Sequence, residues 1–257
     1  MAVASKEGDE RGAGRFATKL QVSGGVDAQV AAQVAVRLPS VALQAGAAMR
    51  GERLWRSLEL LLAITALALA LPLLAVAALA IRLDSGGPVI YRQRRLGRAL
   101  VPFTVHKLRT MVDGAGHERH RRNVLRQIAG ERLPAAGSGP RFKPSDDERI
   151  TRVGRILRCT SIDELPQLLD VICGRMSLVG PRPAIAYEVD HYRPEWFERF
   201  AVRPGLTGLW QVSGRGEVTL PEMFALDLAY VRQRSLALNL RILLRTVPVV
   251  LSMRGAS

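Results

Sequence analysis

From Leu60 to Ile81 the chain carries no charge, and twenty-two residues at helical rise span about 33 Å, enough to cross a hydrocarbon core. Two features bear on how this segment sits. Pro72 lies near its middle, where it withholds one helical N–H and favours a kink. Arg50, Arg53 and Arg56 precede it and Arg82, Arg92, Arg94, Arg95 and Arg98 follow it, so the preference of basic residues for the cytoplasm pulls both ends to one side. A re-entrant hairpin bent at Pro72 satisfies both features, and a kinked transmembrane helix is the alternative.

The rest of the pattern is that of a mixed domain. Val89–Arg92 and Phe103–Lys107 read as short strands, and His117 to Arg132 as a polar, basic helix. Pro134 to Asp147 reads as a surface loop. Thr219, Pro221 and Glu222 predict a capped helix running through Met223, Leu226 and Tyr230, and Asn239 predicts the cap of another running towards Val250. That last helix is apolar on most sides, so it packs in the core or lies in a membrane interface. Residues 1–51 read as a disordered tail, with a weak amphipathic helix over Val26 to Leu43. The expectation is a helix-dominated α+β monotopic membrane protein: tail 1–51, membrane hairpin 52–83, cytoplasmic domain 84–257.

Charge narrows the choice of partner. The 257 residues carry a net +14, almost all of it from arginine, since Lys6, Lys19, Lys107 and Lys143 are the only lysines. The basic residues cluster behind the apolar segment with few aromatics among them, which suits phosphate and anionic lipid better than nucleic acid. Cys159 and Cys173 are too few and too widely spaced for a zinc knuckle and read as free thiols. His106, His117, His120 and His191 show no metal-ligand spacing, and no phosphate-binding loop or dinucleotide fingerprint is present.

The chemistry concentrates in Ser161-Ile162-Asp163-Glu164-Leu165-Pro166-Gln167. Pro166 is tolerated in the first turn of a helix, so a helix is predicted to begin near Ser161–Asp163, with Ser161 and Glu164 at capping-box spacing. A cap is the plain reading of two carboxylates there. Their flanks add another: Arg152, Arg155 and Arg158 share a helix face upstream, and Gly180-Pro181-Arg182-Pro183 follows downstream. Carboxylates bracketed by cations stay ionised, as a nucleophile or metal ligand must, and the cations can hold a diphosphate.

These blocks resemble the bacterial sugar transferases, monotopic phosphoglycosyl transferases that begin surface-glycan assembly. The resemblance rests on Thr160 to Gln167, Met176 to Pro183, Arg203 to Gly208 and Gln211 to Arg215, with Gly87-Pro88-Val89, Gln93 to Gly97 and Lys107 to Met111 upstream, and covers roughly residues 52 to 252. It implies that Asp163 attacks the phosphorus bearing the sugar in a UDP-sugar, releasing UMP, and that undecaprenyl phosphate then takes the sugar phosphate. It implies a re-entrant helix too, although relatives commonly place a serine where Leu71 precedes Pro72. Glu164 is expected to assist the second step or to help Asp163 hold Mg2+. Arg158 and Arg182 match phosphate-binding positions; Lys107, Arg109, Gln211 and Arg215 are further candidates for contact with the substrate. The turn Pro204 to Gly208 either approaches the ligand or is simply tight. The resemblance implies the cytoplasmic face of the inner membrane, with lipid as a partner. A catalytically silent scaffold is the rival reading. The sugar and the oligomeric state stay open.

Overall fold

A computed structural model describes residues 51–114, 118–128, 147–214 and 218–252. The tail before Gly51, most of the loop 134–147, His117 and Arg215 lie outside the described residues.

The apolar segment forms α1, Glu52–Ser85, rich in alanine and leucine, which are strong helix formers. Its most apolar stretch has a mean hydropathy of 2.6, and 34 residues give it about 51 Å of length. Trp55, Glu59, Ala63, Ala70, Ala77 and Ile81 are buried at intervals of four and seven residues, one stripe along the whole helix. The other faces expose Leu61, Leu69, Val76, Leu79 and Leu83. The helix therefore lies lengthwise against the rest of the chain. It also continues through Pro72 as one element, without the break expected of a two-armed hairpin. Proline removes one hydrogen bond but its fixed φ is helical, so a helix can be distorted there without ending.

Two polar anchors, buried Glu59 and half-buried Arg56, join α1 to the remaining domain. Glu59 pairs with Arg56 at 2.7 Å, accepts the Leu178 N–H at 2.6 Å and accepts the Ser177 hydroxyl. Arg56 in turn donates to the carbonyl of Val171 at 2.8 Å. At the other end the chain turns at Gly86 and Gly87, both at positive φ, and a Cβ on Gly87 would run into the Arg109 guanidinium.

Strands β1, Ile90–Leu96, and β2, Pro102–Leu108, form an antiparallel hairpin with Tyr91 opposite Lys107. Both extend beyond the short strands expected. Helices α2, Glu118–Ile128, and α3, Arg152–Thr160, follow. A 3-10 helix over Ile162–Gln167 leads into α4, Leu168–Ile172. Two three-residue strands absent from the sequence reading, β3, Ser177–Val179, and β4, Gly205–Thr207, pair in parallel. Their glycines are forced, because a Cβ on Gly205 would strike the backbone of Gly180. Between them come α5, Ala186–Val189, and a 3-10 helix, Pro194–Ala201. The chain ends in α6, Leu209–Gly214, α7, Leu220–Gln233, and α8, Leu236–Leu251.

Thr219 and Glu222 form the expected capping box of α7. The expected cap at Asn239 is not there. Ser235 caps α8, and Asn239 is fully buried one turn inside it, accepting from the Tyr230 hydroxyl at 2.9 Å. Helix α8 divides between the two environments considered for it: Ile242 is buried, while Leu240, Leu244, Val247 and Leu251 face outward.

Among the described residues, three apolar clusters hold the domain. One packs Tyr192 and Trp196 on Phe224, with Phe197 and Phe200 against Tyr192. A second gathers Trp55, Val105, Val171, Met176 and Ile242, and the third joins Ala77 and Ile81 of α1 to Leu108 and Leu157, with Ile162 beside them. The fold is thus α+β and helix-dominated, with one long apolar helix able by composition to enter a membrane.

Candidate active site

The carboxylate pair sits at a joint between two helices. Thr151 caps α3 by accepting the Gly154 N–H at 2.9 Å, and α3 ends at Thr160. Ser161 then adopts a left-handed conformation, φ 59°, as the last residue of one helix and the entry to the next. A non-glycine residue in this region carries a modest strain that surrounding contacts must offset. Asp163 and Glu164 follow in the 3-10 helix. The predicted capping box is absent, because the left-handed Ser161 offers no side-chain cap, and the α-helix begins only at Leu168. Pro166 is accommodated in the 3-10 helix instead. Local cations, rather than an α-helix N-terminus, therefore shape the surroundings of the pair.

Asp163 is buried, at 9% exposure. Glu164 is about a third exposed and pairs with Lys107, whose Nζ lies 2.7 Å from its Oε1. Lys107 is presented by β2, the strand packed against the 3-10 helix. Arg158, one turn before the joint, donates from Nε to the Thr110 hydroxyl at 3.0 Å. Burial pulls the Arg158 guanidinium below its ordinary value, and the charges of Asp163 and Asp147 oppose that pull. An arginine this basic stays charged throughout, so Asp163 keeps a cation within electrostatic reach. Asp147 and Arg149, paired at 2.6 Å, come alongside because Val112 donates to the Arg149 carbonyl and Thr151 to the Thr110 carbonyl. Sequence reasoning missed Asp147, Arg149 and Thr110. Only Thr110 carried a signal, as part of the block shared with Lys107.

The other candidates lie elsewhere. Arg109 is 5% exposed and donates to the Ser85 hydroxyl at 2.8 Å and to the Gly86 carbonyl, tying β2 to the end of α1. Arg182 belongs to a second cluster, 3.2 Å from fully buried Glu188. Burial pushes the Glu188 carboxyl up, but Arg182, Arg95 and the Ile185 N–H outweigh it and hold Glu188 below its ordinary value. Arg199 completes this cluster, donating to the Arg182 carbonyl at 2.8 Å and pairing with Asp227 at 2.5 Å. Gln211 opens α6 with its Nε2 3.4 Å from the Leu206 carbonyl, and its buried Oε1 has no partner among the described residues. The structure brings Asp163, Glu164, Lys107 and Arg158 together; the contacts described above for Arg109, Arg182 and Gln211 are made in other settings.

Among the described residues no three His, Cys, Asp or Glu side chains are placed to hold a metal ion. Asp163 and Glu164 are the oxygen donors of the site, and Glu164 is already engaged by Lys107.

A buried aspartate within the field of an arginine, next to a lysine-paired glutamate and beside a helix apolar enough for a bilayer, is equipment suited to phosphate-transfer chemistry near a membrane. The family model for bacterial sugar transferases matches residues 51–253, and the chain belongs to that family. It is a transferase. It is 45% identical over 209 residues to the UDP-glucose:undecaprenyl-phosphate glucose-1-phosphate transferase of Caulobacter vibrioides, covering 78% of this chain and 71% of that protein. It is 39% identical to the exopolysaccharide production protein ExoY of Sinorhizobium fredii, over 78% of this chain and 87% of that one. The undecaprenyl-phosphate galactose phosphotransferase of Salmonella typhimurium is 38% identical over 83% of this chain, which spans 44% of that relative.

Proposed function

We propose that this protein transfers a sugar-1-phosphate from a UDP-sugar to undecaprenyl phosphate, the initiating step of exopolysaccharide or related surface-glycan synthesis. The observation that carries the reading is the setting of Asp163: buried, at the Ser161 joint, within the field of Arg158 and next to the Glu164–Lys107 pair. The relatives named for this chemistry supply the substrates.

In the first step an Asp163 carboxylate oxygen bonds to the phosphorus bearing the sugar. The bond from that phosphorus to the bridging oxygen breaks, and UMP leaves with the electron pair. Arg158 and Lys107 offset charge on the phosphoryl oxygens. In the second step a phosphate oxygen of undecaprenyl phosphate bonds to the same phosphorus and the acyl-phosphate bond breaks, returning Asp163 to a carboxylate. Glu164 assists this step or helps hold magnesium. Asp163 and Glu164 would hold a magnesium ion, which would supply further neutralisation of phosphoryl charge. Arg182, Arg109, Gln211 and Arg215 are second-rank candidates for holding the donor.

The acceptor's isoprenoid tail stays in lipid, so the site belongs at the cytoplasmic surface of the inner membrane. The buried stripe running from Trp55 to Ile81 supports a monotopic placement, because both ends of α1 rest on the same domain. The unbroken 34-residue length favours a spanning helix instead. Labelling of single cysteines placed at residues 53 and 83 in intact cells separates the two: protection of both ends fits the monotopic placement, and labelling of one end refutes it.

The test of function is UMP release from a panel of UDP-sugars by purified protein with undecaprenyl phosphate and magnesium. Acceptor-dependent release with one sugar is expected, and Asp163→Asn should abolish it while leaving membrane association intact. Substantial turnover by purified Asp163→Asn would refute the nucleophile. A sugar-phosphate adduct trapped on Glu164→Gln would assign Glu164 to the second step.

A further inference from the structure

A recess containing neither carboxylate of the pair, nor Lys107 or Arg158, opens where the first turns of α1 meet β3, the turn after β1 and the facing ends of α7 and α8. Four arginines line it, Arg56, Arg98, Arg203 and Arg234, against the two carboxylates of Glu52 and Glu59. The balance is net positive by two.

The commitments of these groups sharpen the imbalance. Glu59 is taken up by Arg56, Ser177 and the Leu178 N–H, and Arg234 approaches Glu52 only to 3.5 Å. Arg98 and Arg203 have no carboxylate within ion-pair distance among the described residues, and no hydrogen bond from either guanidinium is found there. Burial, followed by the neighbouring charges of Arg56 and Arg98, pulls Arg203 below its ordinary value. Two guanidinium forks crowded by other cations, in a recess where arginines outnumber carboxylates, are a geometry for bidentate capture of phosphate. Position favours the same ligand. The recess is built on the charged turns of α1 that immediately precede the uncharged run from Leu60 to Ile81, which is headgroup level for a helix entering a bilayer.

We propose that this recess is a phosphate-binding site, distinct from the carboxylate pair, with Arg98 and Arg203 as its principal ligands. The phosphate is either that of an anionic lipid headgroup or a free one, and the chemistry of capture is the same. Such a site fixes the start of α1 against charged headgroups without taking part in the transfer reaction.

The test uses the full chain in neutral detergent, titrated calorimetrically with inorganic phosphate and separately with dihexanoyl-phosphatidylglycerol at constant ionic strength. Wild type is compared with Arg98→Gln, Arg203→Gln and, as a control outside both the recess and the carboxylate pair, Arg232→Gln, whose exposed side chain pairs with Glu198. The expected result is a saturable component weakened about tenfold in each of the first two variants and unchanged in the third, the loss of one charged hydrogen-bonding group. Binding of the lipid alone identifies a headgroup site; comparable binding of inorganic phosphate identifies a free-phosphate site. Arg98 is exposed, so Arg98→Gln carries the test if Arg203→Gln does not fold. Absence of saturable binding by either probe, or binding untouched by Arg98→Gln, overturns the proposal.

Discussion

Glu59→Gln tests whether one buried carboxylate holds the apolar helix on the catalytic domain. The wild-type side chain is 1% exposed and serves three donors, Arg56, the Ser177 hydroxyl and the Leu178 N–H. The amide keeps the shape but exchanges one accepting oxygen for an NH2 group that faces a donor, and it leaves the Arg56 cation without its counter-charge. Breaking one side of a buried ion pair costs about 3–5 kcal/mol. Because Arg56 also donates to Val171 and Ile172 and is itself partly solvated, the lower end, about 3 kcal/mol, is the appropriate figure. For a chain of this size that corresponds to a fall in Tm of about 6–12 °C. Thermal unfolding of the detergent-solubilised protein, followed by tryptophan fluorescence, reads it directly. Adding Ser177→Ala should cost less in the Glu59→Gln background than in wild type, since the two share an interaction. A Tm within about 2 °C of wild type, or strictly additive effects, would refute the anchor.

Three further perturbations probe other parts of the structure. Lys107→Met should change stability by less than about 1 kcal/mol, because both partners of its ion pair are partly exposed. Its turnover should nevertheless fall about a hundredfold if the ammonium offsets phosphoryl charge, as seen in initial rates of UMP release. Gly205→Ala should give little folded protein, since its Cβ would strike the Gly180 backbone and no side chain can yield; near-normal recovery of monodisperse protein from detergent-extracted membranes would contradict the β3–β4 packing. Glu188 titrates below its ordinary value of 4.5, so it contributes stability above that pH and loses it as pH falls through the lower folded value. Glu188→Gln should therefore flatten the acid limb of a Tm-against-pH curve, and an unchanged limb would place the acid sensitivity elsewhere.

How far the chain could be read in advance depended on whether a feature is written in periodicity or in pairing. The uncharged run of α1, the capping box at Thr219 and the hairpin strands all leave local patterns, and each appears. The strands β3 and β4 are three residues each, too short for any alternation, and exist through glycine-to-glycine contact between distant segments. Asn239 carried the composition of a cap, but tertiary packing places it opposite the Tyr230 hydroxyl and hands the cap to Ser235. At the site, the carboxylates and Arg158 were visible as a motif, whereas the left-handed turn at Ser161 was not, because S-x-x-E predicts a cap from spacing alone. The arrival of Asp147 and Arg149 beside Arg158 depends on a backbone bridge between Met111 and Ile150, which no local pattern records.

The position of the carboxylate pair relative to α1 is a packing result with chemical consequences. Ala77 and Ile81 of α1 share one apolar cluster with Leu108, next to Lys107 on β2, and with Leu157, next to Arg158 on α3; Ile162, next to Asp163, packs on the same cluster. Lys107, Arg158 and Asp163 are thus each the immediate neighbour of a residue in the cluster that α1 joins. Small side chains on α1 at Ala77 and Ala70 allow the close approach. An enzyme that joins a water-soluble nucleotide sugar to a lipid-bound phosphate must fix the depth of its nucleophile to within about the length of a phosphate group, since misplacement on the order of 1 Å can cost a hundredfold in rate. Under the proposed function, residues placed one position along from the helix contacts would have their depth set by the same cluster that stabilises the fold, so that depth and stability would change together.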